Sequence, residues 1–185
     1  MKDPDEPQLT AACLAGDTDA FSVLVDRHRD AVFNLAYRLC GNAATAEDVA
    51  QDVFVRAYRK LRQYRTSLPF RNWVLGICAN LSRSRYRSWR RKRDLEQAYA
   101  EAEVVARDAT PAEMDAERRA ELERALTSLP PTLRAPIVLR YMEGMTVEEV
   151  AQTLGLRNSA TKMRLARGRE HLETVLRAKR EGIEP

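Results

Sequence analysis

Thr146-Val147-Glu148-Glu149-Val150-Ala151-Gln152-Thr153-Leu154-Gly155-Leu156-Arg157-Asn158-Ser159-Ala160-Thr161-Lys162-Met163-Arg164-Leu165 carries two helical patterns on either side of a single glycine. Thr146 and Glu149 stand at capping-box spacing, where each side chain satisfies an orphan backbone donor of the other residue. Val147, Val150, Ala151 and Leu154 then make one short apolar stripe. Ala151 is small enough for a second helix to cross closely, and Gly155 supplies a permissive turn. A new helix starts near Asn158-Ser159 and turns Leu165, Gly168, Leu172, Val175 and Leu176 inward, leaving Arg157, Lys162, Arg164, Arg167 and Arg169 on its other faces. Two short helices joined by a glycine turn, the second one basic, fit a helix-turn-helix over about 146–165 whose second helix enters the major groove. A helical hairpin with a charged surface carries the same pattern.

Upstream of this segment, Leu122, Ala125, Leu126 and Leu129 form a helical stripe that Pro130-Pro131 stops. Ile137, Val138, Tyr141 and Met142 form the next stripe, which ends at Gly144. Pro136 fits a helix here only within its first turn. These stripes and the helix-turn-helix make a domain over 118–185. From Asp94 to Glu117 the sequence is Ala-rich and acidic around Thr110-Pro111, with little apolar periodicity. It cannot bury enough apolar area to fold alone, which predicts a flexible acidic linker over 94–117, with partial helix at most.

Residues 1–93 form the other domain. Helical periodicity runs through it and no strand alternation is found. Asp19 is placed to cap a helix carrying Phe21, Leu24, Val25, His28, Val32, Leu35, Ala36 and Leu39, which ends at Gly41-Asn42. Thr45 is placed to cap the next, with Glu47 and Asp48 in its first turn. Val49, Val53, Ala57 and Leu61 form its buried stripe, and Asp48, Gln51, Asp52 and Val55 fall on a different face. A third helix follows Pro69 with Phe70, Trp73, Val74, Ile77, Cys78 and Leu81 apolar, and runs into Arg83, Arg85, Tyr86, Arg87, Trp89, Arg90, Arg91, Lys92 and Arg93. Aromatic rings interleaved with arginines suit nucleic acid, since rings stack on unpaired bases while guanidinium groups hold phosphates. The fold class expected is all-α, as two small helical domains.

Composition limits the alternatives. The 185 residues are 44 % hydrophobic and 31 % charged, with a net charge of +4, and the two signs are segregated along the chain. Cys13, Cys40 and Cys78 are widely spaced and His28 and His171 lie far apart, so neither a disulfide framework nor a metal site is expected. The cysteines fit small core hydrophobes in a reducing compartment, and His28 fits a core-facing or boundary position. The acidic N-terminus lacks the apolar core of a signal peptide, and no apolar run approaches the ~20 residues of a membrane span. A cytoplasmic protein without membrane insertion is expected. No phosphate-binding loop, metal cluster or nucleophile–base pair is found, which predicts neither catalytic residues nor a cofactor.

Ala46-Glu47-Asp48-Val49-Ala50-Gln51-Asp52-Val53-Phe54-Val55-Arg56-Ala57-Tyr58 resembles the region 2.2 signature of extracytoplasmic-function sigma factors, initiation factors of the sigma-70 family. Phe70 to Asn80 resembles the region that follows, and Leu129-Pro130-Pro131 through Tyr141 with Thr146 to Ala151 resembles the start of region 4. The resemblance covers nearly the whole chain in order and spacing. It implies a factor that binds core RNA polymerase and directs it to promoters, melting the −10 element with region 2 and reading the −35 element with region 4. Asp48, Gln51, Asp52 and Val55 match the face that docks on the clamp helices of the largest polymerase subunit. Tyr64, Phe70, Asn72, Trp73, Asn80, Arg83 and Arg87 fall where relatives open the −10 element and trap an unstacked base, at a cost of a few kcal/mol that pocket contacts offset. Arg157, Ser159, Ala160, Lys162, Met163, Arg164 and Arg167 match the −35 readers. The linker is expected to thread toward the polymerase active-site or RNA-exit channel, and an anti-sigma factor is the expected regulator.

Two departures from the family pattern stand out. Ser84 replaces an Asp common in relatives. Ala160 and Met163 replace small hydroxyl residues of the recognition helix, which favours apolar contact with a thymine methyl and predicts an altered −35 preference. Two other classes of protein carry parts of the same pattern. A stand-alone helix-turn-helix regulator would need a dimer and palindromic half-sites, and a nucleic-acid enzyme would need a catalytic motif.

Overall fold

The computed structural model of the protein describes residues 5–65, 67–96 and 111–180, and side chains up to 85 and from 120 to 178. The described residues form eight α-helices, one 3-10 turn and no strand, so the fold is all-α. The helices are α1 (Glu6–Leu14), α2 (Thr18–Cys40), α3 (Ala43–Lys60), α4 (Phe70–Glu96), α5 (Pro111–Ser128), α6 (Pro131–Tyr141), α7 (Val147–Leu154) and α8 (Asn158–Arg180). The 3-10 turn Leu61–Gln63 follows α3. Helix therefore enters both ends of the expected linker, and its centre, 97–110, lies outside the described residues.

Caps account for the helix starts. Asp17, rather than Asp19, caps α2 by accepting from the backbone N–H groups of Asp19 and Ala20 at 2.9 and 3.1 Å. Asp19 instead places its charge in the first turn, where the helix dipole favours it. Asn42, rather than Thr45, caps α3: its Oδ1 accepts from Thr45 N–H at 2.8 Å. Gly41 closes α2 in the left-handed conformation (φ 81°), so a single Gly-Asn pair ends one helix and starts the next. Pro131 opens α6, where its missing N–H costs nothing. Pro136 lies beyond the first turn, inside the helix. The carbonyl it leaves without a donor belongs to Thr132, an exposed residue, so the break is tolerated at the surface.

Two helical units result. In the first, α2 packs against α1, α3 and α4 over Leu24, Val32, Leu35, Val49, Val53, Phe70, Val74 and Leu75. In the second, α6, α7 and α8 pack over Leu129, Val138, Leu139, Val150, Leu154 and Leu165. The close fit of α8 on α6 requires Gly168, since a Cβ there would stand 2.7 Å from Ile137 Cγ1. The two units lie directly against each other. α5 and α6 meet α2, while α6 and α7 meet α4, and one buried apolar cluster runs through both.

Cys78 is fully buried in this core, and burial pushes its thiol up to about 12. Cys13 is buried and Cys40 half-buried; all three are free thiols. His28 faces the core of the first unit, where Nε2 lies 2.8 Å from Glu6 Oε1.

Candidate DNA-binding and polymerase-binding surfaces

The helix-turn-helix forms as its sequence dictates. Thr146 Oγ1 accepts from Glu149 N–H at 3.1 Å, and Glu149 Oε2 accepts from Thr146 N–H at 2.7 Å. The Glu149 carboxyl is thereby held below the usual carboxylate range, mainly by the Thr146 backbone N–H and then its hydroxyl, with the Asn72 amide adding to the effect. Gly155 ends α7 at φ 64°, and Leu156 N–H returns to Ala151 O at 2.8 Å. A Cβ at Gly155 would meet nothing within 4 Å, so its left-handed backbone is what calls for glycine.

α8 is two-sided. Thr161, Leu165 and Gly168 are buried against α6 and α7, whereas Arg157, Ser159, Lys162, Met163 and Arg167 are exposed. Ala160 and Arg164 sit half-buried at the margins of this face. Met163 is 51 % exposed, an apolar side chain standing free among cations. The structure thus places Ser159, Ala160, Lys162, Met163, Arg164 and Arg167 on α8 outside its buried stripe and Arg157 just before the helix starts, with the core anchor Leu165 on the buried side.

The polymerase candidates share the outer face of α3. Asp48, Gln51 and Val55 are exposed and Asp52 is half-exposed; Tyr58 extends the surface by one turn. Asp48 and Asp52 also share a partner that sequence spacing did not reveal. Arg85 Nη2 donates to Asp52 Oδ2 at 2.8 Å, and Arg85 Nη1 lies 3.6 Å from Asp48 Oδ2. An arginine of the basic α4 run therefore covers part of the acidic face.

The −10 candidates separate into two groups. Tyr64, Phe70 and Trp73 pack together with ring centroids 5.2–5.6 Å apart, and His28 adds a fourth ring 5.5 Å from Phe70. Tyr64 Oη donates to Leu68 O at 2.8 Å, which fixes the loop before α4. Phe70 is fully buried, so it holds this loop and presents no face for stacking in the observed arrangement. Asn72 is also buried, on the α4 face covered by α7. Asn80 is exposed and Arg83 half-buried, while the Arg87 side chain lies outside the described residues. Ser84, the departure from the family pattern, is exposed.

Three residues that no local pattern marks hold the two units together. Arg134 is 1 % exposed and donates from Nη1 to Leu39 O at 2.7 Å and from Nη2 to Leu129 O at 2.8 Å and to Thr127 O. Its charge is thus set among the C-terminal carbonyls of α2 and α5, where helix dipoles favour a cation. Glu143, in the turn between α6 and α7, receives Arg71 Nη2 at 2.5 Å and Arg38 Nη1 at 3.2 Å. Gly76 lets α7 approach α4: a Cβ there would stand 2.5 Å from Thr153 O.

Comparison with known proteins agrees with this architecture. Residues 24–93 match Sigma-70 region 2, and residues 119–172 match Sigma-70, region 4. The ECF RNA polymerase sigma factor SigE of Mycolicibacterium smegmatis is 39 % identical over 180 residues, covering 93 % of this chain and 69 % of that protein. SigW of Bacillus subtilis is 32 % identical over 171 residues, covering 88 % and 91 % of the two chains. Among solved structures, CnrH in complex with the cytosolic domain of CnrY superposes with a TM-score of 0.67 at 29 % identity, over 92 % of this chain and 96 % of that one. RpoE of Bartonella quintana, solved with the anti-sigma factor NepR, gives 0.65 at 23 % identity over 85 % and 96 %, a likeness of fold. The chain belongs to the extracytoplasmic-function sigma factors of the sigma-70 family. It is an RNA polymerase initiation factor, which separates it from a stand-alone regulator. Among the described residues, no helix is long and apolar enough to cross a membrane.

Proposed function

We propose that the acidic face of α3 docks on the polymerase clamp helices through Asp48, Gln51, Asp52 and Val55, while α8 reads the −35 element. The observation that carries this division of labour is the exposed, cationic α8 surface with its apolar anchor buried behind it. Arg157, Lys162, Arg164 and Arg167 take phosphates or guanine edges, Ser159 offers a hydroxyl, and Ala160 and Met163 offer apolar contact to thymine. Trp73, Asn80, Arg83 and Arg87 then meet the −10 strand. Asn72 joins them once uncovered, and Phe70 and Tyr64 hold the loop that presents them. The 94–117 segment joins the units and enters a polymerase channel. The protein acts in the cytoplasm and is restrained by an anti-sigma factor, in keeping with the bound partner CnrY of its structural neighbour CnrH.

Run-off transcription with purified core polymerase over a promoter library, with footprinting, tests the assignment. Promoter-specific transcripts with protection at both elements are expected. Replacing Asp48 and Gln51 with alanine should weaken core binding while binding of DNA by α8 persists. Unchanged polymerase affinity would overturn the α3 assignment.

A further inference from the structure

Among the described methionines, Met163 alone stands in solvent. It is 51 % exposed on the outer side of α8, with Lys162 and Arg167 exposed around it. Met142 is half-buried. Met145 is 3 % exposed, and its sulfur accepts from the Thr153 hydroxyl at 3.9 Å. The thiols are protected in another way. Oxidants attack the thiolate, and burial pushes the Cys13, Cys40 and Cys78 thiols above their ordinary value, Cys78 to about 12. Of the described sulfur atoms, the one most open to an oxidant therefore lies on the helix that carries the −35 candidates.

A change at this sulfur alters what α8 offers to a base edge without disturbing how α8 is held. Thr161 and Leu165 anchor the helix from its buried side, and Met163 takes no part in that packing. The thioether is apolar and only a weak acceptor, which suits a thymine methyl. Its sulfoxide is polar and chiral, and carries an oxygen that accepts hydrogen bonds. Such an oxygen suits the amino groups of adenine and cytosine and opposes the acceptor atoms of thymine and guanine.

We propose that Met163 is a reversible oxidation site for hydroperoxides, through which α8 changes its base preference. The sulfur lone pair attacks one peroxide oxygen and the O–O bond breaks. That oxygen stays on sulfur, while the other leaves, takes up the proton and departs as water or alcohol. Sulfur is oxidised by two electrons and the hydroperoxide is reduced by two. Methionine sulfoxide reductases, one for each epimer, return the thioether. In that step the oxygen leaves as water and two thiols become a disulfide. The effect on base preference rests on the −35 reading above, whereas the oxidation site itself does not.

Full-length protein exposed to hydrogen peroxide, then freed of it with catalase, tests the proposal. Peptide mass mapping should find Met163 oxidised before Met142 and Met145, with the helical circular dichroism unchanged. Holoenzyme assembled from the oxidised protein then transcribes a promoter pool randomised in the −35 element. Selection for thymine at one position should fall by at least about fivefold, the lower end for one base contact. Treatment with both sulfoxide reductases should restore it. Met163→Leu keeps an apolar side chain without sulfur, so its selection should be the same with and without peroxide. Oxidation of Met142 or Met145 as early as Met163 overturns the proposal, as does an equal peroxide response in Met163→Leu. Reversible oxidation of Met163 with an unchanged selection supports the site and overturns the thymine reading.

Discussion

Arg134 of α6 donates from Nη1 to the Leu39 carbonyl at 2.7 Å, so a buried cation of the second unit closes the C-terminus of a helix in the first. Its other amino group serves Thr127 and Leu129, at the end of α5. Replacing Arg134 with methionine keeps the apolar stem but leaves three carbonyls without this donor. Hydrogen bonds from a charged donor contribute roughly 1.5–3 kcal/mol each, so a loss of at least about 3 kcal/mol is expected. Arg134→Lys should recover only part of it, because an ammonium is a point donor without the planar fork. Urea denaturation checks this, through a lowered midpoint for methionine and an intermediate one for lysine.

Arg85 occupies the carboxylates assigned to polymerase. The pair is exposed, so its own contribution to stability is about 0.2–1 kcal/mol, and Arg85→Ala should barely shift the melting temperature. Removing the internal competitor should instead tighten core polymerase binding at low salt, by up to about fivefold for 1 kcal/mol. Screening should erase the gain at high salt. Asp52→Ala should weaken binding at both. Titration of labelled protein with core polymerase at two ionic strengths measures both effects. A gain that persists at high salt would count against direct competition for these carboxylates.

His28 gives the first unit a pH dependence. Burial lowers its pKa below the usual 6.5, Arg71 and Arg27 act in the same direction, and Glu6 opposes them. The unfolded chain therefore takes up the proton before the folded one. Stability is complete above about pH 6.5 and falls as pH drops from there through the folded value. Glu149 adds a second loss at lower pH, since its depressed carboxyl contributes only while ionised. Melting temperatures of wild type and His28→Gln should converge as pH is lowered from neutrality toward 5. A constant gap across that window would exclude His28 as the cause.

The sequence made the helices legible because each buries one stripe at regular spacing. Of the stripe expected on α2, Leu24, His28, Val32, Leu35, Ala36 and Leu39 are buried, and Phe21 and Val25 are half-buried at its margin. Caps were legible as a class and misplaced by a few residues, since Asp17 and Asp19, or Asn42 and Thr45, are both capping types close together. The seam between units was not legible. Its contacts join residues 72, 95 and 105 positions apart, and no periodicity links Glu143 to Arg71 or Arg38, or Arg134 to Leu39. Phe70 stands on the apolar stripe of α4 as the spacing predicts, but the rings of His28, Tyr64 and Trp73 around it converge only in three dimensions.

Met163 and Lys162 are neighbours on the exposed face of α8 but should fail differently when changed. A lysine on phosphate binds without regard to base, so Lys162→Ala should weaken −35 duplex binding uniformly across sequences. It should also reduce the slope of log affinity against log salt by about 0.9, as one phosphate contact is lost. Met163 carries no charge and should leave that slope alone. Met163→Ser restores the small hydroxyl residue common at this position and removes the apolar contact to a thymine methyl. A changed base preference at one −35 position, with a discrimination of about 1–3 kcal/mol moved from one base to another, is the expected result. Selection from a randomised −35 duplex pool at two salt concentrations distinguishes the two variants. A salt slope altered by Met163→Ser, or a sequence preference altered by Lys162→Ala, would exchange their roles.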